Sequence, residues 1–91
     1  MSDTETQLEW ENTAQDKFNN VIKRIPLFHR DIAYKVVFKK AEINARQRGA
    51  SQVEESDIVR AFFSEVPMTF YSLMIRLLDG AGFNYKEWES K

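Results

Sequence analysis

Apolar residues recur along this chain at the helical period, and no stretch alternates apolar with polar positions as a half-buried strand does. The first periodic segment holds Ala14, Phe18, Val21, Ile22 and Ile25. Asn12 with Gln15 three residues on has the form of a capping box, so the helix is expected to open at Asn12. Pro26 has no amide hydrogen and should stop it at Ile25. A second helix is expected from Leu27 or Phe28 to Arg48, closed by Gly49 in the left-handed conformation.

At 100° per residue this second helix carries a broad apolar arc of Ala33, Tyr34, Val37, Phe38, Ala41 and Ala45. It also carries a narrower stripe of Ile32, Val36 and Ile43, with Asp31, Lys35, Lys39, Glu42 and Arg46 between the two on one side. Two apolar stripes predict a helix packed from two directions, the hub of the fold, with its charged side in solvent. Further on, Val53 and Ile58 are spaced as a hydrophobic staple about an N-cap at Glu54, and Glu54, Glu55 and Asp57 suit a helix start. That third helix continues through Ala61 and Phe62.

Pro67 is expected as the first residue of a fourth helix. Met68, Phe70, Tyr71, Leu73, Met74, Ile75, Leu77 and Leu78 surround a polar stripe of only Thr69, Ser72, Arg76 and Asp79. Such a helix must bury nearly all round, in this core or against another chain. Gly80 and Gly82 end it, and Phe83, Tyr85 and Trp88 follow. The expected fold is therefore all-α, a single bundle of about four helices around a long central one. It divides into a disordered acidic tail over residues 1–9, a helical domain over 10–61, and an apolar helix with an aromatic tail over 62–91 that completes the core or forms an interface.

Composition narrows the function. Ninety-one residues leave room for one core and exclude separate cofactor and substrate domains. With no cysteine there is no disulfide, thiolate nucleophile or iron–sulfur ligation. No leader pattern opens the chain and no apolar run approaches 18 residues, which predicts a cytoplasmic protein with no membrane partner. His29, the one histidine, stands beside Arg30 and Asp31 at a helix start, without companions for a metal site. No phosphate-cradling loop, metalloprotease motif or nucleophile elbow occurs, so no enzyme activity and no cofactor are expected.

Charge is segregated along the chain although the formal net charge is only −1. Residues 1–16 hold five carboxylates and no Lys or Arg, whereas residues 17–48 hold nine basic groups against Asp31 and Glu42. Arg30, Lys35, Lys39 and Arg46 are the candidate contacts for an anionic partner. The small net charge and the Glu42 beside Arg46 weigh against a dedicated nucleic-acid domain. The apolar surplus offers a stronger candidate. Phe70, Met74, Leu78, Phe83, Tyr85 and Trp88 are the expected partner-binding residues, for a homodimer or for docking on another protein.

Several short pieces together carry a family resemblance. They are Trp10 and Ala14, the run Ile25-Pro26-Leu27-Phe28-His29-Arg30 with Ala33, the run Glu42 to Gly49, and Val53, Ile58 and Ala61. Over residues 10–61 the chain resembles the small helical domain at the C-terminus of the B subunit of light-independent protochlorophyllide reductase, which also occurs free-standing. Between Pro26 and Gly49 it is longer than that pattern by about one helical turn. Residues 62–91 lie outside it. The resemblance implies a docking module and not the reductase chemistry, since no cluster ligand can carry over to a chain without cysteine. A tetrapyrrole held by the apolar surplus, with Arg30 or His29 near its carboxylates, ranks well below docking on a protein.

The second half of a histone fold is also similar. Ala45-Arg46-Gln47-Arg48-Gly49, then Val53, then Ser56 to Ala61 follow a long middle helix in that order. This resemblance implies dimerisation along the central helix and, as the alternative function, nucleic-acid binding through its basic surface.

Overall fold

A computed structural model, which describes residues 8–88 and only the backbone at Trp88, has four α-helices and one pair of two-residue strands. In order these are β1 (Glu9–Trp10), α1 (Asn12–Lys23), α2 (Leu27–Gln47), β2 (Gln52–Val53), α3 (Glu55–Glu65) and α4 (Tyr71–Gly80). Short 3₁₀ turns, Met68–Phe70 and Tyr85–Trp88, flank α4. The fold is an all-α bundle about a central helix. At 1.5 Å per residue the 21 residues of α2 run about 30 Å, most of the 39 Å length of the molecule. Its most extensive partner is α3.

Local chemistry explains most helix ends. Glu11, not Asn12, caps α1, because its carboxylate accepts the Ala14 amide at 2.8 Å. The helix closes at Lys23, two residues before the expected stop, and Pro26 becomes the N-cap of α2. Gly49 at φ +76° ends α2 in a Schellman arrangement, the Ala50 amide bonding back to the Ala45 carbonyl at 2.9 Å. α3 opens at Glu54 as expected. Pro67 precedes a 3₁₀ turn rather than starting α4 directly, so α4 begins four residues later.

The acidic tail expected over residues 1–9 lies mostly outside the described residues, but its last residue is ordered. Glu9 and Trp10 pair in parallel with Gln52 and Val53, a ladder no alternating run announced. Two residues on each side are too few for periodicity to register. The ladder continues into the bond from the Glu11 amide to the Val53 carbonyl at 2.9 Å, which ties the start of α1 to the α2–α3 connection.

All four helices contribute to the core. It gathers Ala14, Phe18, Val21 and Ile22 of α1, Val37, Ala41 and Ala45 of α2, Val53 of β2, Ile58, Val59, Ala61, Phe62 and Phe63 of α3, and Met74 and Leu78 of α4. Phe18 is its hinge point. Its ring lies 5.2 Å from Trp10, 5.7 Å from Tyr34, 6.4 Å from Phe38 and 6.1 Å from Phe62, all in tilted geometry.

Candidate functional site

The fourth helix and the aromatic tail correct the expected interface. Met74, Leu78 and Phe83 are buried in this chain's own core, so they are not available to a partner. Phe83 turns inward because Gly82 at φ +91° reverses the chain in a second Schellman arrangement. The Phe83 amide reaches the Leu78 carbonyl at 3.0 Å, which sets the two apolar side chains together. Tyr85 is half-buried against the same core. The side chain of Trp88 lies outside the described part. Among the described residues of that expected set, Phe70, at 51% exposure, alone stays outside, with Met68 and Leu73 exposed beside it in sequence.

The start of α4 is fastened by Tyr71, whose hydroxyl donates to the Phe63 carbonyl at 2.6 Å while its ring stands edge-on to Phe63. That bond occupies a carbonyl in the last turn of α3 that has no partner within the helix.

The basic strip is also redistributed. Arg30 donates to the Lys23 carbonyl at 2.7 Å and to the Ile25 carbonyl at 2.9 and 3.1 Å, covering carbonyls at and just beyond the end of α1. It acts as a clasp between α1 and α2 rather than an anion contact. Lys35 pairs with Asp31 at 3.2 Å, and Arg46 with Glu42 at 3.8 Å. Lys39 is exposed.

Glu42, expected on the charged solvent side, is buried. The indole Nε1 of Trp10 donates to its carboxylate at 3.1 Å while the Trp10 ring stacks on Phe38 at 4.6 Å. The β1 pairing brings Trp10 across the helix and closes water off from that position. Trp10→Phe keeps the stacking and removes the donor, leaving a buried carboxylate short of a partner. A loss of about 1–3 kcal/mol in urea denaturation is expected, with the fold unchanged by circular dichroism.

An exposed apolar surface lies where the second stripe of α2 was expected to be packed. Phe28 is 83% exposed, Ile32 64% and Val36 39%, and Leu27 beside them 75%. Only the C-terminal end of that stripe, Ile43, is half-buried. α1, α3 and β1 pack against the broad arc, with Tyr34 left 39% exposed, and leave the second stripe bare in the N-terminal half of α2. Sequence reading saw the stripe but not its lack of cover, because helical angle says which residues share a face and nothing about what the rest of the chain can reach.

Chemistry that would make a catalytic or metal site is sparse. Among the described residues no group of three or more His, Asp and Glu could hold a metal ion. A surface depression is lined by Glu11, Glu54, Glu55 and Ser56, and Lys17 pairs with Glu55 at 2.7 Å nearby. His29 is exposed in the first turn of α2 with its ring against Phe28. Among the described residues no single helix is long and apolar enough to cross a membrane.

Arg48 and Asp57 form a fork between the end of α2 and the start of α3. Arg48 Nε and Nη2 each donate to one carboxylate oxygen at 2.8 Å, and Asp57 is fully buried. The same carboxylate accepts the Glu54 amide at 2.9 Å, and Asn44 donates to the Asp57 carbonyl at 3.0 Å. Hydrogen bonding to Asp57 holds the Arg48 guanidinium well above its ordinary pKa range, with attraction to Asp57 and Glu54 adding to it. This constellation is a joint between two helices. Both Asp57 carboxylate oxygens are occupied inside the fold.

The fold and its surface thus define a small all-α bundle with a bare apolar face on α2 and a charged joint built on the buried Asp57. No protein-family model matches the chain, and no curated protein or solved structure is a match to it.

Proposed function

We propose that this protein is a non-catalytic interaction module that docks on another protein chain through the N-terminal half of α2. The observation that carries this reading is the exposure of Phe28, Ile32 and Val36, one above another on a single face. Full burial of such side chains is worth about 1.5–3 kcal/mol each, and contiguous exposed patches of this kind mark sites of association. The resemblance over residues 10–61 supports the same class of role, a docking module, and the likeness to the second half of a histone fold supports association through the middle helix. An accessory protein related to protochlorophyllide reductase is one setting that fits.

The test places a benzoylphenylalanine photocrosslinker at Phe28 of the full chain in the cells that make it. A discrete adduct is expected, and Ile32→Asp in the same chain should abolish it. Ile32 is exposed, so thermal stability should change by no more than about 0.5 kcal/mol. No discrete adduct, or an adduct indifferent to Ile32→Asp, overturns the reading.

A second reading, a histone-fold-like dimer meeting nucleic acid, draws on Lys35 and Lys39, exposed one turn apart on the same helix. Phosphate-dominated binding weakens steeply with salt, whereas association through Ile32 and Phe28 does not. Light scattering and nucleic-acid titration at low and high salt separate the two.

A further inference from the structure

The bare face of α2 has a chemical signature beyond its apolarity. Phe28, Ile32 and Val36 stand four residues apart, so their stripe runs about 12 Å along the helix. At 100° per residue Lys35 falls on one edge of it and Lys40 on the other, and Lys39 lies within its angular span just beyond Val36, closing its C-terminal end. Lys23 and Arg24 are exposed where the chain enters α2. The one carboxylate on this half of the helix, Asp31, is paired with Lys35. The stripe is therefore an apolar seam inside a positive rim.

That rim argues against a second copy as the occupant. Apposing two such faces brings lysines against lysines, and like charges across an interface cost several kcal/mol. Nor do the described residues offer a complementary face elsewhere. The acidic depression, Glu11, Glu54 and Glu55, lies at the starts of α1 and α3, and none of the large exposed apolar residues is on those helices. The second exposed apolar patch, Met68, Phe70 and Leu73, is flanked in sequence by Glu65 and Arg76, which are of opposite sign.

We infer that the occupant is an acidic amphipathic helix of a different protein, laying its apolar side along Phe28, Ile32 and Val36 with its carboxylates toward Lys35, Lys39 and Lys40. A helix is the favoured form because a convex helical stripe packs best by ridges into the grooves of another helix. Opposite charge on the two rims then sets the choice of partner and speeds encounter, while the apolar seam holds the complex. This inference rests on the docking reading above and adds the partner's chemistry.

The probe is a displayed library of helical peptides about five turns long, of unbiased charge, selected on the immobilised full chain and counter-selected on the Ile32→Asp chain. Recovered peptides should be acidic, with apolar residues at three- and four-residue spacing. By fluorescence anisotropy they should bind the Lys35→Glu, Lys39→Glu double variant about tenfold or more weakly, and the Phe28→Ala chain likewise. All substituted positions are exposed, and circular dichroism melts check that each variant folds. Recovery of neutral or basic peptides that still need Ile32 overturns the acidic partner and leaves docking standing, as does a homodimer in light scattering that Ile32→Asp breaks. No enrichment, or peptides indifferent to Ile32→Asp, overturns both.

Discussion

Phe18→Ala should remove about 3–5 kcal/mol of stability, the largest loss expected from any single truncation in this chain. The side chain is 1% exposed and meets rings from β1, α2 and α3 at once. Truncation removes the transfer free energy of a phenyl ring and leaves a cavity that four neighbouring aromatics can fill only by tilting. For a domain of this size the total stability is about 5–10 kcal/mol, so close to half is at stake. Phe18→Leu should recover most of the loss, because it restores volume. Urea denaturation followed by far-ultraviolet circular dichroism measures both. A loss below about 1 kcal/mol for alanine would mean that Phe18 is not the point where these elements meet.

Arg48→Ala should cost about 3 kcal/mol for a different reason. The substitution leaves the Asp57 carboxylate buried with only the Glu54 amide as donor. Removing one partner of a buried pair costs more than the pair contributed, since the remaining charge keeps its desolvation penalty. The effect sits at the low end of the range because Arg48 is itself 36% exposed, and water can enter where its side chain was. Arg48→Lys should recover only part of it, as one ammonium cannot reproduce two parallel N–H bonds. The arginine's pKa is raised, so it stays charged up to strongly alkaline pH, and its own titration adds no pH dependence to stability in the ordinary range. Chemical denaturation of the three chains decides the matter. Equal stability of Arg48→Ala and the parent would show that the joint does not hold α2 to α3.

These two residues illustrate how unevenly the fold was legible. Phe18 was readable as a core position from its spacing with Ala14, Val21 and Ile22. The Arg48–Asp57 fork was not, because charged residues beside Gly49 and in a helix's first turn have sufficient local explanations as helix-end charges. Their separation of nine residues follows no helical or strand period. Only the reversal of the chain at Gly49 and β2 brings them face to face. Glu42 is a similar case. Its helical angle placed it among solvated charges, and burial came from Trp10, 32 residues away.

Sequence alone determined the class of fold and the approximate extent of the helices, since these depend on short-range chemistry. Pro26 separates α1 from α2, Gly49 closes α2, Glu54 opens α3, and the 3.6-residue period marks the face each helix can bury. Tertiary structure alone decided which of those faces find cover. The second stripe of α2 and the apolar girth of α4 look equally in need of burial along the chain. Gly82 folds Phe83 back onto Leu78, and Tyr71 fastens α4 to α3, so Met74 and Leu78 are enclosed. Among the described residues nothing packs over this stripe in the N-terminal half of α2, so Phe28, Ile32 and Val36 remain outside. Burial is a property of what lies opposite, and a helical wheel holds only one side of that contact.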